Sequence, residues 1–135
     1  MSIRGRHLRN MEKGVKRHEL RKTRPGIDLP CRVALCQTGS GGMVAAVFEC
    51  PAILNAKYLS EGKLAKLAAI TAEEARGYRA QGSGELWAWK AERFRDIRGR
   101  GLHVTDFGLA RAPMSWAYAK AEPEGWEEAA GDDEA

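Results

Sequence analysis

Two strand-favouring runs joined by a glycine-rich turn constrain the fold of this chain most. Residues 31–37 (CRVALCQ) and 43–50 (MVAAVFEC) are mostly apolar, and TGSGG lies between them at 38–42. This pattern predicts a β-hairpin, because glycines permit the backbone conformations that a tight connection requires. A phosphate-binding loop is disfavoured, since no Gly-Lys-Ser/Thr follows and the next element is a strand instead of a helix.

The remaining periodicity mixes short helices with further strands. Helical spacing covers 7–13 and 59–70, and Thr71 with Glu74 forms a capping-box pattern that begins a helix through about Ala80. Strand patterns cover 1–3, 16–22, 85–97 and 114–119. No β-α-β rhythm repeats, so we predict an α+β fold: a small, mostly antiparallel β-barrel with two to three short helices at its side.

The 135 residues suit one packed domain, which we assign to residues 1–119. Residues 120–135 are acidic and punctuated by proline and glycine, and we expect a disordered tail there.

Charge is distributed unevenly along the chain. Residues 1–25 contain nine Lys/Arg and two acidic residues, whereas residues 120–135 contain one cation and seven acidic residues. A basic N-terminal part favours a polyanion, usually nucleic acid, as the partner, and a solvated basic face is the alternative.

The three cysteines, Cys31, Cys36 and Cys50, are an odd number, and their spacing does not match a zinc site. We expect them to be buried in strands, with no metal and no cofactor. The sequence contains no secretory segment and no apolar run of membrane-spanning length. We therefore expect a cytoplasmic protein without a membrane partner.

The segment 14–25 (GVKRHELRKTRP) is the main functional candidate. Its pattern is typical of a turn that leads into a cationic strand with one carboxylate, and Pro25 ends the strand. Lys16 and Glu19 are three residues apart, which on a regular strand places them on opposite faces. They share a cleft only if Lys16 lies in the turn after Gly14.

An ordered series of short motifs resembles the ASCH (activating signal cointegrator homology) family of PUA-like barrels over residues 7–119. The motifs lie at 12–16, 19–25, 44–53, 70–74, 86–89 (LWAW) and 111–118 (RAPMSWAY). The last of these is similar to the closing strand of small phage-type ASCH proteins.

The resemblance implies a cleft for RNA or a modified nucleoside between the sheet and the helix before Lys16. Some members of the family hydrolyse acetylated cytidine, and others have been described as ribonucleases. The hydrolase pattern Gly-x-Lys-x-x-Thr-x-Arg falls on Gly14, Lys16, Glu19 and Arg21, with glutamate at the threonine position. Because a carboxylate cannot replace a hydroxyl nucleophile without a different mechanism, the amidohydrolase activity is not the leading interpretation.

The leading hypothesis is a nucleic-acid-binding module, for RNA or single-stranded nucleic acid first. The residues expected to contact nucleic acid are Arg17, Arg21, Lys22, Arg24, Trp89, Lys90, Arg111, Ser115 and Trp116. The first alternative is a ribonuclease or amidohydrolase with Lys16 and Glu19 as the catalytic pair. The second is a phage-borne regulator with a protein partner.

Overall fold

The computed structural model describes residues 1–82 and 85–127. Its strands are β1 (Ser2–Ile3), β2 (His18–Arg21), β3 (Cys31–Gln37), β4 (Val44–Cys50), β5 (Ile53–Asn55), β6 (Trp87–Lys90) and β7 (Glu92–Asp96). Its α-helices are α1 (Gly5–Glu12), α2 (Glu61–Ala68) and α3 (Ala72–Ala80). Short 3-10 turns occur at Ala56–Tyr58, Arg98–Arg100 and Val104–Phe107.

The predicted hairpin is confirmed and forms the centre of a four-stranded sheet. Strands β3 and β4 pair in antiparallel fashion, with Cys31 opposite Cys50. The sheet order is β1-β3-β4-β7, and β1 runs parallel to β3. Residues of β4 belong to two different clusters of buried side chains, and six of its seven residues are buried.

A second sheet, in the order β2-β6-β5, positions the functional candidate. Glu19 on β2 lies opposite Trp89 on β6, and Leu20 lies opposite Ala88. Directly opposed residues point to the same face. Leu20 and Ala88 pack with the helices α2 and α3, whereas Trp89 packs with the cluster that contains α1.

The architecture is α+β with mostly antiparallel pairing, as predicted, although the two sheets do not close into one hydrogen-bonded barrel within the described residues. The three helices lie where the sequence places them. The Thr71–Glu74 capping box is present, with both reciprocal hydrogen bonds at 3.0 Å. None of the helices in the described part of the chain is long and apolar enough to cross a membrane.

The predicted strand over 85–97 is wrong as a single element. It divides at Ala91 into β6, which belongs to the second sheet, and β7, which belongs to the first. Arg93 adopts a positive φ of 53°, which bends β7 shortly after the division. The run looks continuous in sequence because its residue types suit strands on both sides of the bend.

The predicted strand over 114–119 is also wrong. This segment has no strand assignment, and its backbone is held by a hydrogen bond from the Ser2 amide to the Ser115 carbonyl at 2.8 Å. Its alternating large residues include packed aromatic rings and do not mark a hydrogen-bonded strand. Trp116 and Tyr118 pack edge to face with ring centroids 5.2 Å apart, and Met114 is fully exposed.

The first part of the expected tail packs against the domain. Trp126 is only 4% exposed and meets Phe107 edge to face, with ring centroids 5.1 Å apart. The amides of Lys120 and Ala121 both donate to the Phe107 carbonyl. Residues 120–127 therefore differ from a disordered tail, because a buried indole anchors them. The rest of that expected tail, 128–135, lies outside the described residues.

Candidate functional site

Lys16 lies in the turn that leaves α1. Gly14 adopts a φ of 78°, and the amides of Val15 and Lys16 both donate to the Asn10 carbonyl. The turn directs the Lys16 side chain inward, where it is 1% exposed. Its ammonium donates to the Ala68 carbonyl at the end of α2, at 2.6 Å.

Glu19 joins Lys16 to Arg21. Its Oε1 lies 3.2 Å from Lys16 Nζ and also accepts the Leu20 amide, while its Oε2 lies 2.8 Å from Arg21 Nη2. The Glu19 side chain is 7% exposed and the Arg21 side chain 13%. The three residues form a buried line of alternating charge, which we call the charged line.

Arg21 closes the outer end of the charged line. Its Nη2 donates to the Ser2 carbonyl at 2.6 Å, and its Nη1 donates to Ser115 Oγ at 3.1 Å. A guanidinium spread over a carboxylate, a carbonyl and a hydroxyl is well satisfied and fixed in place. Arg21 thus separates Glu19 from the Ser115 surface.

The net effect of burial and the neighbouring charges of the charged line is to lower the pKa of both Lys16 and Glu19. Burial lowers the pKa of Lys16, and the Glu19 charge opposes that shift in part. Burial alone would raise the pKa of Glu19, but the charges of Lys16 and Arg21 outweigh it and hold that pKa below its usual value. A desolvated lysine beside a carboxylate can hold an anion or transfer a proton.

His7 is the residue of this site that sequence reasoning missed. It is buried on α1, its Nδ1 has no hydrogen-bond partner, and its Nε2 lies 3.4 Å from Arg6 Nη2. Burial lowers the pKa of His7, and the Lys16 charge lowers it further. The sequence feature that could have indicated the burial of His7 is its position beside Leu8, on the helix face that also carries Met11.

Arg6 and Glu74 bridge the helices above this site. Arg6 Nη2 lies 2.6 Å from Glu74 Oε2, which ties α1 to the first turn of α3. Glu74 therefore lies on the helix side of the site, where its ion pair is with Arg6.

The two tryptophans expected to stack on bases form a pair. Their ring centroids are 5.4 Å apart at 62°, and both indole N–H groups donate to Thr23, Trp89 to its carbonyl and Trp116 to its Oγ1. Trp89 is buried, whereas Trp116 is half-buried. Of the two, Trp116 can offer a ring face to a ligand.

A cavity of about 770 Å³ opens beside this pair, between β3 and the C-terminal part of the described chain. Trp89 and Trp116 both line it, but Lys16 and Glu19 do not. The charged line and the aromatic cavity are therefore adjacent but separate in this structure.

The predicted cations do not form one surface. Arg17 is exposed, and Arg24 lies over the Trp87 ring at 5.1 Å. Lys22 donates to the Tyr78 carbonyl at 2.7 Å, and Lys90 pairs with Glu92 at 3.0 Å.

Arg111 lies apart from these cations, at a second cavity of about 520 Å³ beside the glycine-rich turn. Across residues 1–82 and 85–127, no group of three or more His, Cys, Asp or Glu side chains could hold a metal ion.

No known family profile and no curated protein matches this sequence. Solved structures of other proteins do match this chain. The chain is similar to the ASCH protein of Zymomonas mobilis, with a TM-score of 0.60, 19% identity, and coverage of 72% of this chain and 68% of the other.

Two single-residue variants of that protein align over more of the chain. The variant with serine changed to alanine has a TM-score of 0.71 and 16% identity, covering 94% of this chain and 88% of the other. The variant with tyrosine changed to phenylalanine has a TM-score of 0.71 and 17% identity, covering 94% and 90%. At these identities the likeness shows the fold, and the expected ASCH fold is confirmed.

Proposed function

We propose, on the premise of the ASCH fold, that this chain is a module that binds single-stranded nucleic acid, with RNA as the first candidate. The observation that carries the proposal is a set of exposed cations without ion pairs. On and around α1, within the described residues, these are Arg4, Arg9, Lys13 and Arg17. No acidic side chain within residues 1–82 and 85–127 forms an ion pair with them, so in this part of the chain they are available to phosphates.

The half-buried Trp116 supplies the second element of this proposal. It lies next to Ser115, which Arg21 already contacts. A base that stacks on Trp116 would therefore have Ser115 and Arg21 beside it for polar contacts. Stacking of this kind is worth on the order of 1 to 3 kcal/mol per base.

The free cysteines favour a reducing setting, and we place this activity in the cytoplasm.

The test is a titration of labelled single-stranded RNA and DNA of about 12 nucleotides at about 50 and about 200 mM salt. Binding should weaken steeply with salt, because phosphate contacts release counterions. Arg17→Gln should reduce the salt slope by about 1. The matched control is Lys63→Gln, which removes one exposed cation from α2. Salt-independent affinity, or equal effects of the two variants, would contradict the proposal.

A second candidate function is hydrolysis of RNA or of an acetylated nucleoside. The observation in its favour is the buried Lys16 ammonium, which lies 3.2 Å from Glu19 and has a lowered pKa. The pKa of the neighbouring His7 is lowered as well. Arg21 would have to leave Glu19 before a substrate could reach the pair.

The same titration samples, run on a gel, test for strand cleavage, and release of acetate from acetylated cytidine tests the amidase. Activity should disappear in Lys16→Met, with circular dichroism confirming that the variant folds. Intact strands and no acetate from the wild-type protein would remove this candidate.

A further inference from the structure

Residues 120–127, which we call the strap, fold back over β3. The anchor is Trp126, whose indole is buried against Phe107. The indole N–H donates to Glu122 Oε1 at 3.0 Å, so the strap is also closed on itself.

The strap places two carboxylates on one exposed guanidinium. Arg32 Nη2 lies 3.2 Å from Glu122 Oε1, and Arg32 Nη1 lies 3.3 Å from Glu127 Oε1. The guanidinium also lies over the Trp126 ring, 5.8 Å from its centroid. Two oxygens on the two ends of a guanidinium fork are the arrangement in which arginine binds a phosphate group.

The residues of this contact also line the aromatic cavity of about 770 Å³. Arg32, both glutamates and Trp126 line it together with Trp116 and Tyr118. A cation and several aromatic rings in one lining suit a ligand with an anionic group and a flat ring. The volume falls within the range of small-ligand sites.

A ligand can replace the carboxylates at Arg32, whereas the buried contact of the Trp126 indole with Phe107 is harder to break. Arg32 and Glu122 are about half exposed, and Glu127 is 28% exposed. Ion pairs that are open to solvent contribute at most about 1 kcal/mol each. The carboxylates can therefore leave Arg32 while Trp126 stays buried.

We propose that the strap is an intramolecular competitor of nucleic acid: Glu122 and Glu127 occupy at Arg32 the position of a backbone phosphate, in the lining of a cavity that accepts a base. This inference rests on the proposed function. Binding of a strand exchanges the two carboxylates for a phosphate, and the acidic strap weakens binding until that exchange occurs.

The test compares the affinity of four full-length proteins for labelled single-stranded RNA at low salt. Glu122→Gln/Glu127→Gln should bind about fivefold or more tightly than the wild-type protein, corresponding to about 1 kcal/mol. The matched control is Glu73→Gln/Glu124→Gln, which removes the same charge without touching Arg32. Adding Arg32→Gln to the first variant should cancel its gain over the control.

A second measurement follows the strap directly. The indole N–H resonance of Trp126, assigned with Trp126→Phe, reports the hydrogen bond to Glu122. Addition of RNA to the wild-type protein should move this resonance.

The outcomes separate the two proposals. Binding by the wild-type protein with no gain over the control, or with an unmoved Trp126 resonance, overturns the strap proposal and leaves the proposed function standing. Absence of RNA binding by all of the proteins overturns both.

Discussion

Lys16 Nζ lies 3.2 Å from Glu19 Oε1 in the interior, although strand alternation would direct the two side chains apart. The pair forms because β2 begins only at His18, so Lys16 belongs to the preceding turn and escapes the alternation. The contact joins three elements, since the lysine also donates to the Ala68 carbonyl of α2. A short turn thus brings two buried charges together.

Removal of the lysine charge should destabilise the fold. Lys16→Met leaves the buried Glu19 with Arg21 as its remaining cation, and we expect a loss of about 3 kcal/mol in the free energy of unfolding. Adding both Glu19→Leu and Arg21→Met should recover most of this loss, because apolar residues of similar volume then replace the whole charged line and leave no unpaired buried charge. Urea unfolding measures both, with Lys13→Met as the exposed control. A loss below about 0.5 kcal/mol would show that the pair does not stabilise the fold.

Stability should fall on acidification. The pKa of Glu19 is lowered in the folded state, so its contribution is complete above the unfolded value of 4.5 and is lost as pH falls through the folded pKa. The pKa values of His7 and His18 are lowered mainly by burial, so stability is also lost as pH falls below 6.5.

Urea midpoints between about pH 7.5 and about pH 3 should therefore decline in two stages. His7→Gln should reduce the first stage and leave the second in place. A midpoint that stays constant over this range would contradict the assigned pKa directions.

Cys31 should be the reactive thiol. It lies opposite Cys50 in the hairpin, and this neighbouring thiol lowers the pKa of Cys31 to about 7. Cys31 is also partly exposed, whereas Cys36 and Cys50 are buried. Alkylation by iodoacetamide, followed by mass spectrometry against pH, should show Cys31 modified first, with a midpoint near pH 7. Cys50→Ala should move that midpoint toward 9.0. Equal labelling of all three thiols in the native protein would refute this assignment.

Trp116 should contribute to nucleic-acid affinity through its ring face. Trp116→Leu removes the stacking surface and should weaken RNA binding about tenfold, corresponding to one stacked base. Anisotropy titration measures the change. Tyr58→Leu is the control, because Tyr58 is 78% exposed and lines neither cavity. Equal affinities of the two variants would place the base elsewhere.

Features that depend on neighbouring residues were predictable. The hairpin over 31–50 follows from two apolar runs around glycines, and the start of α3 follows from Thr71 and Glu74, which satisfy each other's backbone amides. The sequence predicted that Lys16 and Glu19 lie close together only if Lys16 belongs to the turn after Gly14. Each of these depends on contacts within a few residues, which a pattern of residue types specifies.

Features that depend on distant partners needed the tertiary structure. The division of 85–97 arises because its two halves pair with different sheets, and 114–119 fails to form a strand because it is held mainly by side-chain contacts. Arg21 closes the charged line by reaching Ser115, 94 residues away. Trp126 turns an acidic segment into a strap because Phe107 and Arg32 lie where its ring can pack. Such contacts form only once the chain has folded, since no local periodicity records which distant surface a side chain will meet.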